Sequence, residues 1–401
     1  MEFKYKLVTQ NELLAPVGDF RNLRAAVMAG ADAVYFGIKG FNMRATAKNF
    51  EVRDLAKIRR ICNESDRLPK MYLTLNTIVY DDELKKLERI IKAVKGKVDA
   101  IICWDMSVIK LCRKYGIPFH VSTQASVSNS VAAEFYKKLG AERIILAREL
   151  NLRQIKKISK EVKVECFCHG AMCVAVSGRC FMSQYTHGLS ANRGQCAQLC
   201  RRAWEITDDS GNKLKLKNSR VMSAKDLCTL PFIDKMKKAG IVSFKIEGRN
   251  RSPEYVYAVV SEYRKALDKK LTRAEILEGI ENLKKVYHRG LSSGFYLKMP
   301  TADDFSFSEN GEQEEKKEFV GKVYKYWPRA GAASVRINAG QLKVGDEIYL
   351  IGNDEAIKRT KVKSIEFKGE NVRVAKKGEE VGVDFGVKVR SGTEIYVIKK
   401  N

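Results

Sequence analysis

A chain of 401 residues is long enough for one large core and a smaller second unit, so two units are expected. Its 74 Lys and Arg against 48 Asp and Glu leave a net charge of +26, spread along the chain instead of gathered in one tail. Such a field favours a polyanion such as RNA, the alternative source of the excess being a solvated lysine-rich surface. No run of about 18 apolar residues and no basic-then-apolar start occurs, which excludes a membrane span. The expected compartment is the cytoplasm, where the ten cysteines read as ligands or buried thiols and not as disulfides.

From Asn11 onward, short apolar runs alternate with amphipathic, charge-flanked segments, the pattern of repeated βα units and a mainly parallel sheet. Candidate strands are Glu12 to Ala15, Ala33 to Gly37, Met71 to Asn76, Ala100 to Trp104, Phe119 to Thr123, Arg143 to Ala147, Val164 to Phe167 and Val242 to Ile246. Eight strands predict a closed α/β fold, a (β/α)8 TIM-like barrel over residues 1–300. Asp19, Asp81 with Asp82, and Asn151 stand as N-cap candidates before helical periods, and Gly30 and Gly140 as helix stops. A doubly wound open sheet is the alternative, but no Gly-x-Gly-x-x-Gly follows the first strand.

In a barrel, the polar residues that end the strands share one mouth. Asn42 and Arg44 follow strand two, Asn76 ends strand three, Asp105 strand four, Ser122 and Gln124 strand five, and Arg148 with Glu149 strand six. Strand seven leads to His169, and strand eight to Lys245, Glu247, Arg249 and Arg251. Arg44, Arg148, Lys245, Arg249 and Arg251 would suit a small dianion bearing two carboxylates, or an RNA phosphate, and Asn76 and Gln124 complete the substrate-binding set. Glu165, His169 and Glu247 are the acid–base candidates. His169 has orientation of the following loop as its other reading, and Glu247 the neutralisation of Lys245 or Arg249. His120 reads as an interior histidine.

The loop after strand seven, within residues 165–228, concentrates the cysteines. Glu165 to Arg201 holds six of the ten. Cys173 and Cys180 are separated by six residues, Cys196 follows after fifteen more, and Cys200 after a further three. Four thiolates suit tetrahedral zinc or an iron–sulfur cluster. The spacing lacks the paired Cys-x2-Cys knuckles of a zinc ribbon, which favours the cluster. Cys166 and Cys168 alternate with Glu165 and Phe167 as strand residues do, and read as buried free thiols.

The run Glu165-x-Phe167-x2-Gly170-Ala171-Met172-Cys173-x4-Gly178-x-Cys180-x-Met182-Ser183 resembles the signature of peptidase family U32. The resemblance continues through Ser190-Ala191-Asn192-Arg193-Gly194-Gln195-Cys196 to Cys200-Arg201. Glu12-Leu13-Leu14-Ala15-Pro16 and Lys245-Ile246-Glu247-Gly248-Arg249 flank it. It covers roughly residues 11 to 300. The family is named for a collagenase-like peptidase, but the resemblance also implies oxygen-independent hydroxylases that carry a 4Fe-4S cluster and modify tRNA wobble uridine, 23S rRNA cytidine or the ubiquinone ring. In the RNA branches it implies prephenate as the oxygen source. Gly37-x2-Gly40-Phe41-Asn42-x-Arg44-Ala45 and Ala191-Asn192-Arg193-Gly194 are most similar to the wobble-uridine branch, which makes tRNA the expected partner, with rRNA and a second homologous subunit as further candidates. The implied ligands are Cys173, Cys180, Cys196 and Cys200, with Cys228 as the alternative fourth. A peptidase would need a base and an orienting partner for its nucleophile, and clustered ligand cysteines suit that poorly. A non-catalytic protein with structural zinc is the remaining alternative.

Residues 203 to 221 read as a polar hairpin turning at Asp209-Ser210-Gly211-Asn212. Helices are expected from about Pro253 to Asp268 and from Arg273 to Val286. Residues 301–317 are acidic and aperiodic, a linker by composition. Residues 318–401 alternate with period two between Gly-bounded turns, predicting a small all-β barrel domain. Its Gln341-Leu342-Lys343-Val344-Gly345-Asp346-Glu347 resembles a turn of the second domain of translation GTPases. Lys322, Lys325, Arg329, Lys358, Arg359, Lys361 and Lys363 would make the domain an RNA-holding module.

Overall fold

The computed structural model describes residues 11–400 except 177, 203, 217–221, 307, 309–310 and 353–356. Eight parallel strands form a ring: β1 (Glu12–Pro16), β2 (Ala33–Gly37), β3 (Lys70–Thr74), β4 (Ala100–Cys103), β5 (Phe119–Val121), β6 (Arg143–Ile145), β7 (Val164–Gly170) and β8 (Ile241–Ile246). Each pairs with its sequence neighbour, β8 pairs with β1, and the β7–β8 pairing closes the barrel. Every residue of β1 and β2 is buried, because side chains fill the inside while helices cover the outside. That double burial is why these strands read as continuous apolar runs.

Local signals set the helix ends. Asp19 accepts the Asn22 N–H at 2.9 Å to start Phe20–Met28, and Asn151 and Gln154 form a reciprocal capping box at Leu152–Ile158. Gly30 leaves the first helix at φ +91°, a left-handed conformation that glycine adopts without strain.

A one-residue irregularity in β7 changes which residues face the barrel interior. Phe167 is paired with Lys245, but the next pair is His169 with Ile246, so Cys168 is an extra residue opposite β8. A bulge of this kind reverses the alternation beyond it. His169 therefore points outward with Ile246, against Tyr255 and Tyr263 of helix Pro253–Asp268.

Within the cysteine-rich loop, Trp204–Thr207 and Lys213–Leu216 pair as the expected antiparallel hairpin, while residues 203 and 217–221 lie outside the described set. The short strand Asp226–Cys228 then runs antiparallel to β7. Residues 301–317 are not a free linker. Phe305 bridges Ala224, Glu312 bridges His288, and strand Glu315–Trp327 starts inside the segment. The composition is linker-like, but the described backbone at Phe305 and Glu312 is tied to the barrel.

The C-terminal module is an antiparallel sheet of eight strands plus a two-stranded ribbon, wrapped around Val335, Ile348, Ile365, Val383 and Ile395. It docks on the barrel through Ile351 and Ile357, and through an Arg21–Glu394 ion pair of 2.7 Å. Among the described residues no helix is long and apolar enough to cross a membrane.

Candidate active site at the barrel mouth

The barrel interior has a charged floor. Glu12 opens β1 and Arg143 opens β6; they form an ion pair, and Arg143 also reaches Glu165 at 3.1 Å. The Tyr72 hydroxyl donates to Glu12 at 2.7 Å and the Ser243 hydroxyl donates to Glu12 at 3.0 Å, while Lys245 Nζ sits 3.0 Å from Glu165 Oε1. Burial works to raise the Glu12 pKa, but Arg143 with the Tyr72 and Ser243 hydroxyls outweighs it and holds the carboxyl below its usual range. Glu165 is thus a fully buried counter-ion beneath the cavity, not an acid–base group at its mouth.

Above the floor, a cavity of about 260 Å³ opens at the C-terminal ends of the strands, and Arg44, Asn76, Gln124, Arg148, Lys245, Glu247, Arg249 and Arg251 all line it. Arg44 Nη2 donates to Glu247 Oε1 at 2.9 Å. Burial pushes the Glu247 pKa up, yet Arg44 and Arg251 outweigh it and keep the carboxyl below its usual range. Glu247 is the one carboxylate among the described lining residues. Arg249 donates to Thr74 Oγ1 at 2.8 Å, and burial lowers its pKa to about 10. The Lys245 pKa is also lowered by burial, against the pull of Glu165.

Arg148 is the least satisfied of the set. Its Cζ lies 4.0 Å from the Phe167 ring centroid and Nη1 donates to the Ala171 carbonyl at 2.9 Å. Its Nε and Nη2 are buried with no partner. Desolvated donors of this kind are costly unless an acceptor meets them.

Cys173, Cys180, Cys196 and Cys200 line the same cavity. The Asn192 side chain accepts the Cys180 N–H at 3.0 Å, and the Ser183 hydroxyl accepts the Ala197 N–H at 3.0 Å, fixing the loop between the ligand candidates. Burial pushes the Cys200 thiol up, reinforced by Cys173, Cys196 and Cys180 against Arg201. The four thiols therefore share one cavity, but among the described residues no three His, Cys, Asp or Glu converge as the ligands of a single ion do. By donor type alone, four thiols on one cavity wall are compatible with either zinc or an iron–sulfur cluster. Cys228 lies apart: its thiol is buried 3.8 Å from the Tyr263 hydroxyl on the outer side of β7.

His169 is not brought to the cavity. The bulge turns its ring outward, with Nδ1 3.4 Å from the Tyr263 hydroxyl, and burial lowers its pKa to about 3. No histidine is among the described lining residues. Sequence reasoning also missed Asp226, a buried carboxylate whose two oxygens have no hydrogen-bond partner, with Arg289 at 3.7 Å and Arg251 at 3.9 Å. Arg201 and Arg289 extend from this centre to the cysteine loop, Arg201 to the Met172 carbonyl and Arg289 to Gln198 Oε1 at 3.2 Å. A lone Asp in the otherwise apolar run Asp226–Cys228 was the only available signal. In the C-terminal module part of the predicted basic set is already paired, Arg359 with Glu315 and Glu347 and Lys322 with Glu394.

The sequence model of Peptidase family U32 matches residues 18–306, and that of Elongation factor Tu domain 2 matches residues 331–394. A protein of Porphyromonas gingivalis named Collagenase is 40% identical, covering 98% of this chain and 99% of its own length. The tRNA hydroxylation protein P1 of Bacillus subtilis is 34% identical over 87% of this chain and 85% of its own. A 23S rRNA 5-hydroxycytidine synthase of Escherichia coli is 36% identical over 71% of this chain and 45% of its own.

Proposed function

The chain belongs to peptidase family U32, and from that membership together with the mouth geometry we propose that it is an RNA-modifying enzyme. The reading is an oxygen-independent hydroxylase that forms 5-hydroxyuridine at the tRNA wobble position, with a 4Fe-4S cluster and with prephenate as oxygen source. The observation that carries it is the meeting of four thiols and an arginine set in one cavity, where Arg148 has two donors unspent. Relatives named for tRNA hydroxylation and rRNA hydroxycytidine synthesis support RNA as the substrate.

Cys173, Cys180, Cys196 and Cys200 would hold the cluster, the reading favoured by four soft donors lining one cavity without the paired Cys-x2-Cys knuckles of a zinc ribbon. When bound, a cluster supplies electron transfer or Lewis-acid activation. The chain's own residues do the rest. Arg148, Arg249 and Lys245 offer cationic donors to two carboxylates of a small dianion, and Glu247, kept ionised by its arginines, is the group on the wall that can take a proton. An anticodon presents its base in a single-stranded loop, so the base reaches the cavity without the full cost of leaving a duplex.

The relative named Collagenase favours a second reading, peptide hydrolysis. No histidine among the described lining residues is placed to activate a nucleophile there. Nucleoside mass spectrometry of tRNA and rRNA from cells with and without the gene tests the choice. Loss of a 5-hydroxyuridine-derived nucleoside is the expected result. Loss of a hydroxycytidine in rRNA would change the substrate, and unchanged pools with gelatin cleavage by the purified chain would establish the peptidase. In Cys180→Ala the brown absorbance and the modification should both vanish while the barrel stays folded.

A further inference from the structure

The cysteine loop presents apolar side chains to solvent. Phe181 is 71% and Tyr185 92% exposed, beside half-exposed Val174 and Val176. Phe181 directly follows Cys180, so this face is continuous with the cavity. Two neighbouring loops extend it. Arg193 is pinned by Glu83 at 2.8 Å and lies over the Tyr80 ring, half of which is exposed, while Arg179 lies over Trp104.

Its charge is one-sided. Between Glu165 and Glu205 the chain has no Asp or Glu, but it has Arg179, Arg193, Arg201 and Arg202. Arg179 and Arg202 are exposed and, among the described residues, form no ion pair. Solvent-facing aromatics interleaved with arginines, on a segment that itself carries no carboxylate, match what a single strand of nucleic acid requires: ring faces for bases and cations for phosphates. A second copy of this chain fits less well, since a two-fold contact would set arginines against arginines.

We propose that this rim is the landing surface for single-stranded RNA, with the bases flanking the nucleotide in the cavity stacked on Phe181 and Tyr185 and the phosphates met by Arg179 and Arg202. The inference rests on the RNA-modifying reading and names where that substrate lies. Because Phe181 and Tyr185 are exposed, their removal should leave the fold intact.

The test is the Kd of the full, cluster-loaded chain for a labelled anticodon stem-loop RNA and for a blunt duplex of the same stem. Phe181→Ala and Tyr185→Ala should each raise the stem-loop Kd by about fivefold or more, with the duplex Kd and the salt slope unchanged. Arg179→Gln and Arg202→Gln should each reduce that slope by about 0.7. Stem-loop Kd values unchanged within about twofold in the aromatic variants would overturn the proposal, as would an equal loss for the duplex. So would sedimentation showing a wild-type dimer that Tyr185→Ala dissociates. The function and the surface fail separately: intact aromatic-dependent binding with no gene-dependent nucleoside sinks the hydroxylase, whereas a gene-dependent nucleoside with aromatic-independent binding sinks the surface.

Discussion

At the floor of the barrel, Glu12, Arg143, Glu165 and Lys245 bond to one another and to Tyr72 and Ser243, and of these side chains only Arg143 Nε lacks a partner. At the mouth, in the same barrel and under comparable burial, Arg148 leaves Nε and Nη2 without a hydrogen bond, and Asp226, 3.7 Å from Arg289 and 3.9 Å from Arg251, has no hydrogen bond on either carboxylate oxygen. Buried charge is tolerated when it is paired and hydrogen-bonded, so the floor is a finished structure. The mouth is unfinished in the same terms. Its unspent donors cost stability in the free protein, and a bound anion would recover that cost. On the proposed function, the difference separates charges kept for the fold from charges kept for a ligand.

The largest effect should come from the floor. Glu165→Ala leaves Lys245 and Arg143 with reduced compensation in the interior, and breaking a buried pair in this way costs about 3–5 kcal/mol. Denaturant titration measures it, and a loss below about 1 kcal/mol would mean that the floor is not finished in the sense argued. The mouth should respond with the opposite sign. Arg148→Met removes two desolvated donors and one bond to Ala171 while retaining bulk against Phe167, so stability should hold or rise by up to about 2 kcal/mol. RNA modification in the same variant should fall sharply. A destabilisation as large as that of Glu165→Ala would erase the contrast.

Much of this was legible in the sequence, and what was not shares one cause. Strands buried on both faces appear as apolar runs, so the ring and its polar strand ends could be read, and with them the arginine set. The four cysteines could be read from their density. His169 was misplaced because a bulge at Cys168 alters no composition; it is a register event between β7 and β8, visible only once both strands are paired. Glu165 and Glu12 are single carboxylates in otherwise apolar strands, but their partners Lys245 and Arg143 are 80 and 131 residues away. Residues 301–317 read as a linker because acidity and missing periodicity describe side chains, whereas Phe305 and Glu312 are held by backbone bridges. The pairing of Arg359 with Glu315 and Glu347 was hidden in the same way. Every miss concerns a partner distant in the chain.

The smallest effect, and the sharpest, is the direction in which the two regions titrate. Glu12 is held below its usual range, so its contribution is present above the unfolded value of about 4.3 and is lost as pH falls through the folded value. Asp226 is shifted the other way: burial raises it, and Arg251, Arg289 and Arg201 do not fully offset that. Its contribution is fully present below about 3.9 and is lost as pH rises through the folded value. The deficit of Glu12→Gln against wild type should therefore shrink as the solution is acidified. The advantage of Asp226→Asn should instead grow as pH rises, by at most about 1.4 kcal/mol per pH unit. Denaturation midpoints from acid to neutral pH measure both. If the two variants drift in the same direction, floor and mouth do not differ in how they hold charge; if they diverge, the Asp226 carboxylate, which has no hydrogen bond, is a cost that the arginines around it only partly cover.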